Sequence, residues 1–222
     1  MTKRAVEPIE NTISAKLARQ VIAGKAVTPP ADVVHAVERI ILDSMGCALG
    51  AMSSPAVAGL RRWAGRMSGS PGATLWGTGV KSSVLGAAMV NCTMTRDLDM
   101  NDTYFSHNPA HSSDNIGACI AVGEAQGASA AEVIQSILIA FEVQMRACEF
   151  TRTSVFKTAG WDQTMFITLA SAAAGGALLN LSEDELVHAF GIAGSYPALG
   201  EMRVGQISMM KSASAGLAAT RG

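Results

Sequence analysis

Apolar residues return every three or four positions along most of the chain, in blocks separated by short breaks rich in Pro, Gly and Ser. Residues 10–23 place Ile13, Leu17, Val21 and Ile22 on one side of a helix. Pro29 and Pro30 interrupt that pattern. Asp32 then stands where it can cap a helix to about residue 49, with Val33, Val34, Val37, Ile40, Ile41 and Met45 at helical spacing. Ser53, Ser54 and Pro55 open another helix that reaches Trp63 and Met67, and the Gly/Ser/Pro cluster at 69–72 is a turn. Residues 73–76 (Ala-Thr-Leu-Trp) form the one convincing strand candidate. From Ser82 the helical period resumes through Leu85, Met89 and Met94. Ser113 and Asp114 are expected to cap an apolar helix over 116–125. A longer helix over 130–150 carries Glu142 and Arg146 as an i,i+4 pair. An Ala-rich helix follows Gly160 and Trp161 and runs to 181. Ser182 and Glu185 make a capping box that opens a helix over 186–193. A last helical segment begins at about Ile207. The expected fold is all-α with many helices and at most one short β element.

Composition supports close helix packing. Hydrophobic residues make up 49% of the 222 positions and aromatics only 5%, so Ala, Gly and Met fill the interior. The formal net charge is −1 with no basic stripe, which argues against nucleic acid as a partner. Cys47, Cys92, Cys119 and Cys148 are widely spaced and form no CxxC pair, which fits free thiols in a reducing compartment rather than zinc ligands or disulfides. The N-terminus lacks the apolar core of a secretory signal. The uncharged run between Asp162 and Glu183 reads as a buried core helix rather than a membrane span. A soluble, cytoplasmic chain without membrane partners is the expectation.

The candidate chemistry is concentrated in residues 96–114, where Asp97, Asp99, Asp102, Asp114, His107 and His111 fall together in a chain that is only 16% charged. Burying carboxylates is costly unless they are paired, so such a cluster marks a site. Asp97 and Asp102 read as helix-end carboxylates, His107 as a loop residue, and His35 and His188 as surface or internally satisfied histidines. Asp99 and Thr103 stand four apart and share a face if this stretch is helical. His111 follows at a distance that lets a loop fold it back, and Lys211 is a remote cation. A carboxylate, an imidazole and an ammonium suit a polycarboxylate losing water or carbon dioxide: imidazole abstracts a proton near neutral pH and the cation offsets developing negative charge. The histidines and carboxylates lack a metal-ligand spacing, so no metal is called for. The Gly77–Ser82 stretch lacks the spacing of a phosphate loop and reads as a turn.

Five motifs in order carry a resemblance: Asp43-Ser44-Met45-Gly46-Cys47-Ala48-Leu49-Gly50, Leu98-Asp99-Met100-Asn101-Asp102-Thr103-Tyr104, Pro109-Ala110-His111-Ser112-Ser113-Asp114-Asn115, Gly160-Trp161-Asp162-Gln163 and Met209-Met210-Lys211. Together they resemble the MmgE/PrpD family of 2-methylcitrate dehydratases, cis-aconitate decarboxylases and iminodisuccinate epimerases. The resemblance implies that residues 1–222 are the helical N-terminal part of a longer arrangement, incomplete and without the family's lid domain. It further implies a homodimer, or pairing with a separate C-terminal half. By the same resemblance Asp99, His111 and Lys211 match catalytic positions and Thr103 a substrate-binding one, with no cofactor. In this assignment His111 transfers the proton, Asp99 orients it or acts as partner acid, Thr103 hydrogen-bonds the substrate and Lys211 holds a substrate carboxylate. His111-Ser112 replaces the usual His-Pro pair. Asp162 and Gln163 stand where the decarboxylase branch would carry a histidine, which favours dehydration of a small hydroxy-tricarboxylate over decarboxylation; decarboxylation or epimerisation of a related polycarboxylate is the alternative. A reading of another class is a catalytically silent half-chain that serves as an assembly partner.

Overall fold

The computed structural model describes residues 8–152, 158, 160–195 and 208–222. Among them nine α-helices follow one another: α1 Ile13–Lys25, α2 Ala31–Gly50, α3 Pro55–Ala64, α4 Val84–Asp97, α5 Ile116–Gln126, α6 Ala130–Phe150, α7 Met165–Leu178, α8 Glu183–Ser195 and α9 Met210–Arg221. The all-α expectation holds. Two antiparallel pairs interrupt the helices, β1 Ala73–Thr74 with β2 Lys81–Ser82 and β3 Tyr104–Phe105 with β4 Pro109–Ala110. The second pair was not foreseen, because two-residue strands carry no period.

Helix boundaries follow their caps. Ser129 and Glu132 form a complete capping box at the start of α6, and Ser182 with Glu185 does the same before α8. Ser83 caps α4 by accepting from Gly86 N. Helix α3 ends at Ala64 rather than reaching Met67, and three further sequence expectations shift. Asp32 does not cap α2: Pro30, with φ of −58°, takes the N-cap position, its carbonyl accepts from Val34 N, and Asp32 lies in the first turn. There its charge favours the positive helix end. The Ala-rich helix α7 stops at Leu178 rather than 181. Asn180 turns left-handed (φ 57°), and Leu181 N donates to Gly176 O while Asn180 N donates to Ala177 O. That is a Schellman ending with Asn in the glycine position. Ser113 and Asp114 do not cap α5 but sit, fully buried, in a 3-10 turn over Ser112–Asn115. Ile207, where the last helical pattern begins in sequence, lies outside the described residues.

Two apolar cores share a wall. One joins α1, α2, α6, α7 and α8 around Val21, Ile137, Phe141 and Phe190. The other joins α2, α3, α4, α5 and α9 around Val57, Leu75, Met94 and Ala215. Helices α5 and α7 face both cores, which is why neither shows a one-sided pattern: Ile116 and Cys119 point one way, Ala118 and Ala121 the other. Small residues set the spacing around α4. A methyl built on Gly117 of α5 would lie 2.6 Å from Cys92 N, and one on Gly216 of α9 would lie 2.2 Å from Met89 O. Helix α4 is thus clamped on two sides at backbone distance, and its C-terminal end is held where α9 begins. Buried Asn91 ties β1 to the same helix, donating to Thr74 O and accepting from Trp76 N.

Candidate active site

Helix α4 ends at Asp97, and the stretch from Asp99 to Thr103 is not helical. Asp99 and Thr103 therefore do not share a helix face as their spacing suggested. Asp99 instead takes a left-handed conformation (φ 56°), with its N–H donating to Arg96 O. A non-glycine residue in that region costs about 1–2 kcal/mol, least for Asp and Asn. The conformation has a consequence here: one carboxylate oxygen meets Arg96 Nη1 and the other lies 2.5 Å from Lys211 Nζ. Lys211 occupies the first turn of α9, where a cation opposes the helix dipole, and Asp99 offsets that. Burial raises the Asp99 carboxyl, but the hydrogen bonds from Lys211 and Arg96 outweigh it and hold the group well below the usual carboxylate range. Two cations share one carboxylate, so the trio keeps a net positive charge beside an Asp99 side chain that is 44% exposed.

His111 is set by the hairpin. Tyr104 pairs with Ala110 and Phe105 with Pro109, so Thr103 and His111 flank the open end of the ladder and face each other. Three contacts staple this hairpin to the end of α6: Tyr104 OH donates to Glu149 Oε1 at 2.5 Å, His107 Nδ1 to Glu149 O at 2.8 Å, and Asn108 Nδ2 to Thr151 O at 2.5 Å. His111 Nδ1 lies 2.7 Å from the Asp102 carbonyl oxygen, which can only accept. The proton is therefore on Nδ1, and Nε2 carries the free lone pair. Burial, and then the nearby Arg96 charge, lower the His111 pKa below its ordinary value, so the ring is neutral at pH 7. The Thr103 hydroxyl is 3.4 Å from the same Nδ1, too long for a strong bond while the carbonyl holds the proton.

Beneath these groups lies a buried polar layer. Asn115 donates to Gln144 Oε1 at 2.5 Å and to Ser112 O at 3.1 Å, and accepts from Ser171 at 3.0 Å; Gln144 Nε2 reaches His111 O at 3.3 Å. Asp102 accepts from Ser113 N at 3.0 Å, fixing the loop whose carbonyl orients His111. Asn101 Nδ2 donates to Ser113 Oγ at 2.8 Å and Asp114 Oδ1 at 2.9 Å. The structure thus brings Asp99 to Lys211 and Thr103 to His111, and the group that orients His111 is the Asp102 carbonyl rather than Asp99. Among the described residues no group of three His, Cys, Asp or Glu side chains is disposed to hold a metal ion. Sequence reasoning passed over Arg96 and treated Asp114 only as a cap. Arg96 had a legible signal: it is the only Lys or Arg between Lys81 and Arg146, at the end of an apolar helix.

Comparison with known proteins decides the family. The profile of the MmgE/PrpD N-terminal domain matches residues 15–222. The chain belongs to the MmgE/PrpD family. The 2-methylcitrate dehydratases of Salmonella typhi and Cupriavidus necator are each 30% identical to it over 164 residues, and that of Escherichia coli K12 is 28% identical. Each alignment covers 69% of this chain and 33% of the relative. In this MmgE/PrpD chain the motif residues fall on α2, on the loop after α4, on the hairpin and its 3-10 turn, and on the starts of α7 and α9. Three of these five segments (the loop after α4, the hairpin with its 3-10 turn, and the start of α9) meet at the site just described; the motif in α2 packs behind it, where Gly50 leaves room for Leu98. Among the described residues no single helix is long and apolar enough to cross a membrane.

Proposed function

We propose that this chain carries the proton-transfer half of a cofactor-independent hydro-lyase site, of the 2-methylcitrate dehydratase type, for a small hydroxy-tricarboxylate. The observation that carries the reading is the neutral His111 ring with its Nε2 lone pair free, beside a cationic trio with one carboxylate too few. A substrate carboxylate supplies the missing negative charge at Lys211, while Arg96 stays on Asp99. His111 Nε2 removes the proton from the carbon next to a carboxylate. The electron pair becomes the new double bond, and the hydroxyl departs as water with a proton drawn from solvent. In this reading the Thr103 hydroxyl hydrogen-bonds the substrate. Asp99, ionised and doubly paired, is unsuited to be the acid; it positions Lys211.

Dehydration fits better than decarboxylation because Asp162, an aspartate whose carboxylate accepts from Thr164 N at 3.0 Å just before α7, stands where the decarboxylase branch would carry a histidine. It thus adds no second imidazole to the site. The reading also includes a completing surface. Met100, next to Asp99 in the chain, and Met209, two residues before Lys211, are 72% and 66% exposed. Further polypeptide, as a homodimer partner or a C-terminal half, would cover them.

The test is turnover of 2-methylcitrate and citrate, followed by the ultraviolet absorbance of the new double bond. His111→Gln is expected to lower kcat by about 10²–10⁴-fold, the usual share of a positioned general base. Lys211→Ala is expected to act mainly on KM. Full turnover by His111→Gln would remove the assignment.

A further inference from the structure

Among the described residues Asp114 is the most deeply enclosed charge-bearing group, and it takes no part in the chemistry above. Its side chain is fully buried, and Oδ1 accepts from Asn101. Oδ2 has no hydrogen-bond partner and lies 3.7 Å from Arg96 Nε. The Arg96 guanidinium, itself only 3% exposed, therefore stands between two carboxyl groups: Asp99 at the mouth of the site and Asp114 behind it. A buried carboxyl with one bare oxygen is costly when ionised and tolerable when protonated.

We propose that Asp114 is a positioning residue of this site, a buried carboxyl that competes with Asp99 for the Arg96 guanidinium and so sets how tightly Asp99 holds Lys211. When Asp114 is protonated, Arg96 serves Asp99, and Lys211 is released more readily to a substrate carboxylate. When Asp114 is ionised, Arg96 is drawn back to it, Asp99 rests on Lys211 alone, and the cluster has lost one unit of positive charge. The groups facing Asp114 are Arg96 on α4, which favours ionisation, and Asp102 in the loop and Asp162 before α7, which oppose it. Cys92 of α4 stays a neutral thiol because burial, and then Asp114 itself, push it up. Burial dominates and pushes the Asp114 carboxyl up to about 8, so the switch lies at the edge of the neutral range. This inference rests on the reading of the site as a polycarboxylate site only for its consequence in binding, not for the coupling itself.

Two measurements separate the two ideas. In the ligand-free protein, the ¹³C signals of the Asp99 carboxyl and of Lys211 Cε are followed against pH. The expected result is a step in both near pH 8 that coincides with titration of the Asp114 carboxyl and is absent in Asp114→Asn. A step that persists in Asp114→Asn, or an Asp114 signal already ionised at pH 6, would overturn the proposal. The Asp114 signal in the unsubstituted protein decides this even if the variant does not fold. In parallel, citrate is titrated calorimetrically. Its affinity is expected to fall on the order of tenfold from about pH 7 to about pH 9, the effect of one added charge several ångströms away, and to stay flat in Asp114→Asn. The same fall in the variant would count against the proposal. Absence of citrate binding at every pH would count against the polycarboxylate reading and leave the ligand-free titration to decide on Asp114.

Discussion

Replacing Gly216 by Ala tests whether the fold holds Lys211 in place. The added methyl would stand 2.2 Å from Met89 O, 2.6 Å from Thr93 Oγ1 and 3.1 Å from Met89 C. A carbon settles against a carbonyl oxygen at about 3.3 Å or more, so α9 must lift from α4 by about 1 Å. Overpacking of this kind costs about 1–3 kcal/mol. Ala returns up to ~1 kcal/mol through its better helix propensity. The net loss is on the order of 1–2 kcal/mol, which for a chain of this size lowers Tm by about 2–8 °C. The displacement also reaches the site, because Lys211 is on the lifted helix and Asp99 sits at the end of α4. The Lys211–Asp99 contact opens and the Asp99 carboxyl moves back toward its ordinary range. The control is Gly191→Ala, on an exposed position of α8 where a methyl meets nothing within 4 Å. That change is expected to stabilise by about 0.5–1 kcal/mol. Thermal unfolding by circular dichroism reads both variants. A Gly216→Ala protein as stable as the control, with its Asp99 signal unmoved, would refute the reasoning.

Ser129→Ala removes the capping box of α6 and is expected to cost about 0.5–2 kcal/mol in urea unfolding; it should leave the His111 tautomer unchanged, since the cap is at the far end of that helix. Asp99 has a depressed folded pKa, so the stability it contributes is present above its ordinary value and lost as pH falls below about 4. Asp99→Asn should flatten that acid limb in a series of urea midpoints. Asp114 has the opposite sign: the native state keeps a proton that the unfolded chain releases, so stability falls as pH rises from about 4 to about 8 and is level above. Asp114→Asn should remove that slope in the same series. The depressed pKa of His111 places the acid limb of any turnover below the ordinary histidine value; a limb raised above it would contradict the neutral ring.

Much of the helical order was legible because long amphipathic blocks declare themselves: α6 begins and ends where its pattern does, and the Ser182–Glu185 box opens α8 as its spacing requires. What escaped was local backbone geometry. Nothing in the run from Asp99 to Thr103 announces that Asp99 turns left-handed, since a non-glycine residue there is disfavoured and is retained by its two cationic partners. The β3–β4 hairpin escaped for the same reason, its strands being too short for alternation, yet its register is what sets Thr103 opposite His111. Asp114 read as a cap because Ser-Asp before an apolar run usually is one. The 3-10 turn buried it instead, through bonds to Asn101 that no local pattern encodes. The motif match named Asp99, His111 and Lys211 together, whereas spacing alone gave no way to see that Lys211 meets Asp99 from a helix more than a hundred residues away.

The claim at the centre of this account is that His111 is a neutral base with its proton on Nδ1 and Nε2 turned toward a bound polycarboxylate. It is tested most directly by ¹⁵N spectra of the imidazole in the labelled protein, with and without 2-methylcitrate. The account predicts an Nδ1–H tautomer at pH 7 before ligand is added, and a shift confined to Nε2 on addition that is lost in Lys211→Ala. A proton found on Nε2, or a ring that 2-methylcitrate leaves unmoved while it binds elsewhere, would contradict it.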